Sequence, residues 1–151
     1  MGDKDVTEIP LTAVMKPTFE SIPPDTPLES IFQRFAEEGC YDLVVVDREE
    51  RFQGVITGID LLATIGPIVG MRSMKRFSCV ECLVKKGMTT AADVMNRGHI
   101  TISRERTLGD AMRIMEKNRH PDLFVIDENG RVDGQIAVCD IIAHLRVVGH
   151  L

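Results

Sequence analysis

No stretch of the chain stays apolar for the roughly 18 to 20 residues that a membrane-spanning helix needs. The opening, MGDKDVTEIP, is acidic where a secretory signal would be basic and then apolar. A soluble, cytoplasmic protein without membrane contact is expected. Cysteine is scarce, with Cys40, Cys79, Cys82 and Cys139 the only four in 151 residues. That is too sparse for a disulfide scaffold and typical of a reducing compartment. There is no Gly triplet and no sustained heptad, which excludes collagen and coiled coil. Basic side chains are outnumbered 18 to 23, for a net charge of −5, which argues against nucleic acid as the main partner because phosphate neutralisation calls for a clustered basic surface. Also missing are a Ser/His/Asp order, an HExxH, a Walker loop and a GxGxxG. With no catalytic constellation, a non-enzyme is expected.

The composition that remains is that of a globular protein. Hydrophobic residues make up 44% of the chain and charged ones 27%, although aromatics reach only 5% and tryptophan is absent. Disorder is excluded by that apolar content. A chain of this length buries about 70% of its unfolded surface, enough for one or two compact units that need no metal or disulfide to fold.

The chain repeats itself. At an offset of 80, residues 14–65 align with 94–145 without a gap, and thirteen of the 52 positions are identical, among them Met15/Met95, Ile22/Ile102, Asp42/Asp122, Asp47/Asp127, Gly54/Gly134 and Asp60/Asp140. Chance would give about three or four at ordinary composition. Each copy reads as a short apolar turn (residues 11–15 and 92–95) and a brief extended stretch at Ser21-Ile22 or Ile100-Thr101-Ile102. A helix comes next. In the first copy Thr26-Pro27-Leu28-Glu29 predicts an N-cap, a first-turn Pro and a capping-box Glu, with Gly39 ending the helix. In the second, Thr107 caps a run whose Leu108, Met112 and Met115 share one face. Two strands joined by a polar turn then lead to a second helix, starting near Ile59 or Cys139, with Asp60 or Asp140 in its first turn. The expected fold is α+β, two pseudo-symmetric repeats of a three-stranded sheet and two helices. The expected divisions are 1–65, a basic linker 66–91 of net charge +4, and 92–151. In the linker, Cys79 and Cys82 form a CxxC, half of a metal site or a redox pair, or two small apolar residues on one helix face.

The chemistry concentrates where each hairpin ends. The copies read Gly54-Val55-Ile56-Thr57-Gly58-Ile59-Asp60 and Gly134-Gln135-Ile136-Ala137-Val138-Cys139-Asp140. A hydroxyl at a strand-to-helix junction with a carboxylate three residues on suits a nucleoside phosphate: the helix start faces an anion and the carboxylate accepts both ribose hydroxyls. The same Thr-x-x-Asp is also an ordinary helix-start signature.

The repeat, the hairpin and the G-h-x-[ST]-x-x-[DN] ending together resemble the cystathionine-beta-synthase (CBS) domain, two of which form a Bateman module. The resemblance covers nearly the whole chain apart from the first ten or so residues and the linker. It implies regulatory binding of AMP, ADP, ATP or S-adenosylmethionine in clefts between paired repeats. It implies no required cofactor, a homodimer of pairs, and a protein effector acting in trans. It assigns ribose to Asp60 and Asp140 and phosphate to Thr57, whereas Ala137 lacks the hydroxyl. Nucleotide-binding members often carry basic residues at the start of the first hairpin strand; here those positions are Tyr41-Asp42 and Pro121-Asp122. A carboxylate there repels a polyphosphate by about 1 kcal/mol or more, which favours AMP, an adenosine ligand with a cationic group, or an empty site over ATP, with Arg119 and His120 as alternative phosphate contacts; Asp42 and Asp122 also read as turn caps. The resemblance sets the adenine against Ser21, Ile22, Pro23 and Thr26 in the first copy and Thr101, Ile102, Ser103 and Arg106 in the second. The alternatives are a ligand-free dimerisation or assembly module, and metal or redox sensing through Cys79 and Cys82.

Overall fold

The computed structural model describes residues 5–39, 41–69 and 79–151. Of the basic linker expected above, residues 70–78, with Arg72, Lys75 and Arg76 among them, and the side chain of Cys79 lie outside the described residues. The chain forms two compact units, one of residues 20–99 and one of 1–19 with 100–151.

In unit 20–99, strand β1 (Glu20–Ile22) leads through helix α1 (Leu28–Glu38) to β2 (Leu43–Val46), and β3 (Phe52–Ile56) returns antiparallel beside β2. β1 and β2 are parallel because α1 carries the chain back across the sheet. Helix α1 buries Leu28 and Ile31 and half-buries Phe32 and Phe35, the i, i+3, i+4, i+7 stripe of a helix facing a core. The capping differs from the sequence expectation. Pro27 is itself the N-cap and Thr26 turns away, its Oγ1 donating to the Pro23 carbonyl at 2.8 Å. Pro27 is extended, at ψ 142°, and bridges Thr90, so the helix starts one residue later than expected and Thr26 sits too early to cap. The Leu28 N–H donates instead to the Thr89 carbonyl at 3.0 Å. Helices α2 (Gly58–Val69), α3 (Cys79–Lys85) and α4 (Ala91–Val94) complete the unit, with Leu61, Ile68, Leu83 and Ala91 in its core.

The other unit repeats this plan with β4 (Thr101–Ser103), α5 (Leu108–Asn118), β5 (Asp122–Ile126), β6 (Val132–Ala137) and α6 (Val138–Val147). Thr107 caps α5 as its sequence predicts, accepting from the Asp110 N–H at 3.2 Å while Asp110 accepts from the Thr107 N–H at 3.2 Å. The turns of both hairpins are built by the repeated aspartates. Asp47 Oδ1 accepts from the N–H of Glu49 (2.8 Å) and Arg51 (3.0 Å), and Asp127 Oδ1 from those of Asn129 (2.8 Å) and Arg131 (3.0 Å). The Arg51 N–H is the main reason the Asp47 carboxyl is held below its usual value.

The compact units do not follow the repeat boundaries. Residues 5–19 join the second sheet, where Leu11 is fully buried and the Leu108 N–H donates to the Ile9 carbonyl at 2.8 Å. The matching segment ahead of the second repeat joins the first sheet, with Ala91 fully buried and its N–H donating to the Thr26 carbonyl at 2.9 Å. Each repeat thus lends its leading segment to the other repeat's core. Among the described residues no helix is long and apolar enough to cross a membrane.

Candidate functional site

The two strand-to-helix junctions have the same backbone and different chemistry. In unit 20–99, Thr57 lies between the end of β3 and the start of α2. The Asp60 N–H donates to Thr57 Oγ1 at 3.1 Å. In return Asp60 Oδ2 accepts from the Thr57 N–H at 3.0 Å and from the Thr57 hydroxyl at 2.9 Å. This is a reciprocal helix cap. It locks the carboxylate in one orientation and leaves Oδ1 without a hydrogen-bond or ion-pair partner among the described residues. The Thr57 hydroxyl has one proton, and Asp60 already holds it. Thr57 is therefore a positioning residue for Asp60 in this structure, not a free donor for phosphate.

At the other junction, Asp140 Oδ2 accepts from the Ala137 N–H at 2.9 Å, so half of the cap survives without the hydroxyl. Asp140 Oδ1 is engaged by Lys16, whose Nζ lies 3.2 Å away; the Asp140 side chain is 10% exposed and that of Lys16 68%. Lys16 is clamped by its backbone, donating to the Gln135 carbonyl (2.8 Å) and accepting from the Gln135 N–H (2.9 Å). Gly134 permits this approach, since a Cβ there would collide with the Lys16 carbonyl oxygen. At the equivalent place in unit 20–99 stands Asn96, clamped in the same way to Val55 (2.8 and 3.0 Å).

Register fixes where the other expected residues lie. Leu43 pairs with Ile56, so Asp42 and Thr57, one residue beyond on each strand, are at the same end of their sheet. In the second sheet Asp122 pairs directly with Ala137, and Asp122 Oδ2 accepts from Gln135 Nε2 at 3.0 Å. Tyr41 is 60% exposed. Ile22 and Ile102 are not brought to these junctions. They pair with Val45 and Val125, further along the strands, and their side chains are buried in the two cores, 6% and 3% exposed. Period-2 alternation sends these two side chains to the core face of their strands. Ser21, Ile22 and Pro23 instead line a cavity of about 550 Å³ with Val46, Asp47 and Arg48, at the turn end of the sheet. Arg119 and His120 line a mostly apolar groove of about 630 Å³ along α5 and α6 with Met112, Met115, Ile141 and Leu145. Cys82 packs partly buried against the core of its unit.

Lys16 and Gln135 are the residues that sequence reading passed over. The signal was present in the offset-80 alignment, where Gln135 faces Val55 inside the motif and Lys16 faces Asn96 just after the shared Val-Met pair.

Two repeats of one sheet-and-helix plan, each ending in a capped junction carboxylate, define a tandem-repeat α+β protein. The family model for the CBS domain matches residues 6–66 and 91–147, and the chain belongs to that family. Over 122 residues it is 30% identical to an inosine-5'-monophosphate dehydrogenase of Thermoplasma acidophilum; the match takes in 81% of this chain and 21% of that protein, so the chain spans about a fifth of its relative's length. Among solved structures it is similar to CBSX2, a CBS-pair protein of Arabidopsis thaliana, in complex with AMP, with a TM-score of 0.73 and 19% identity over 93% of this chain and 98% of that one. It is also similar to the CBS domain pair of protein MJ0100 in complex with 5'-methylthioadenosine and S-adenosyl-L-methionine, with a TM-score of 0.60 and 17% identity over 93% and 95% of the two chains.

Proposed function

We propose that this chain is a non-catalytic regulatory module that binds an adenosine-containing ligand, with Asp60 as the ribose contact, and that AMP-sized ligands are preferred to ATP. The observation that carries the reading is the division of labour on Asp60. One oxygen is fixed by Thr57, and the other is a pre-oriented acceptor for a diol. The compounds held by the two similar structures, AMP in one and 5'-methylthioadenosine with S-adenosyl-L-methionine in the other, have adenosine in common and differ in what the 5' carbon carries. A long polyphosphate is disfavoured because the Thr57 proton is committed and acidic Asp42 and Asp122 lie at the strand starts.

An assembly role rests on a separate observation. Helices α2 and α6 leave Ile59 75%, Leu62 59% and Ile142 51% exposed, with Leu62 and Ile142 at equivalent repeat positions. Large apolar side chains held in water on matching helices favour a second copy of the chain as partner. Ligand binding is tested by a thermal-shift panel of AMP, ADP, ATP, S-adenosylmethionine and adenosine on wild type and Asp60→Ala, each read against its own ligand-free midpoint. At 100 times its dissociation constant a ligand adds about 2.7 kcal/mol, or about 5 to 10 °C at this size. A shift for AMP that shrinks in Asp60→Ala is expected; no shift for any compound would leave only the assembly role.

A further inference from the structure

Three differences between the repeats change together, and all of them border the junctions. Where the Asp60 junction has Thr57, Val55 and Asn96, the Asp140 junction has Ala137, Gln135 and Lys16. The junction that loses a hydroxyl gains a cation. Asn96 supplies no charge, and its Oδ1 is used in a local turn, accepting from the Gly98 N–H at 3.0 Å. Lys16 is clamped at its backbone and free at its stem, with an ammonium largely in water that reaches Asp140 Oδ1. Gln135 meanwhile holds Asp122 Oδ2 through a neutral amide, so Asp122 does not depend on Lys16 for a partner.

We propose that Lys16 is the charge-selecting residue of the Asp140 junction, so that this junction takes a nucleoside monophosphate in preference to the uncharged nucleoside. The inference rests on the adenosine reading above. An uncharged nucleoside must compete with the ammonium for Asp140 Oδ1 and gains nothing from it. A monophosphate brings its own acceptor. An ammonium has three donors, so one stays on the carboxylate while another moves to the phosphate, and the positive charge offsets repulsion between the phosphate and Asp140. The Asp60 junction has no such cation among the described residues and does not discriminate in this way.

The test is calorimetric titration of AMP and of adenosine into Asp60→Ala protein, which isolates the second junction, and into the same protein carrying Lys16→Gln or Lys16→Arg. Expected is AMP binding at least about tenfold tighter than adenosine, a fall to the adenosine level with Lys16→Gln, recovery with Lys16→Arg, and a preference that narrows with added salt. Lys16 is exposed, so both variants should fold; their ligand-free melting curves check this. AMP affinity that is unchanged by Lys16→Gln overturns the proposal, as does affinity that rises, which would mean that Lys16 occludes Asp140. AMP binding to wild type but not to Asp60→Ala overturns the proposal and leaves the adenosine reading standing. Failure of every adenosine compound to bind wild type overturns both.

Discussion

Asp60 and Asp140 occupy one position in two copies of the same motif, yet one keeps an oxygen open and the other gives it to Lys16. Single residues differentiate the copies elsewhere too. At the hairpin tips, equivalent positions hold Glu50 at φ 63 and Gly130 at φ 79, and at the ends of α1 and α5 they hold Gly39 at φ 94 and Arg119 at φ 54. The left-handed conformation costs a residue with a Cβ about 1 to 2 kcal/mol. No atom lies within 4 Å of where a Cβ at Gly130 would stand, so conformation alone sets the cost of a change there. Gly130→Ala is therefore expected to destabilise the protein by about 1 kcal/mol. Glu50→Gly is expected to stabilise it by about 0.5 kcal/mol, the relief of strain being partly offset by the entropy of glycine. Urea unfolding of both variants checks the pair, and a stabilised Gly130→Ala would contradict the assignment of strain.

At the scale of elements, most of the sheet-and-helix order could be read from the chain because each signal was local. The Thr107 cap, the Gly39 stop, the polar turn of each hairpin and the Leu108, Met112 and Met115 face of α5 are all set within a few residues, and the structure has them. The Thr26 cap was not, because a long-range bridge to Thr90 accompanies an extended Pro27 and moves the helix start by one residue. The exchange of leading segments was also out of reach. Leu11 and Ala91 read as apolar residues ahead of their own repeats, and nothing local says which sheet they will cover. The burial of Ile22 and Ile102 could have been anticipated from strand alternation. The resemblance sets them against the ligand; the pairing with Val45 and Val125 places their side chains in the core, and Ile22 also borders the cavity beside Asp47. Lys16 was missed for the same long-range reason: it lies 124 residues from Asp140, and only the clamp on Gln135 brings them together.

For the whole molecule, the proposed output is a change of state, not a reaction. A module of this kind acts because a ligand binds one of its conformations more tightly than others and a partner reads the resulting population. In the proposed assembly role the partner is a second copy, and the residues to change are the exposed Leu62 on α2 and Ile142 on α6. Light scattering after gel filtration should give twice the chain mass for wild type and the chain mass for the double variant Leu62→Glu with Ile142→Glu, without loss of helical signal. A monomeric wild type would remove the assembly role. The central claim concerns Asp60, and it is tested most directly by calorimetric titration of AMP into wild type and into Asp60→Ala. Expected is saturable binding to wild type, with the Asp60 contribution lost in the variant while the ligand-free fold is retained; heats of binding that are identical in the two proteins would contradict Asp60 as the ribose contact.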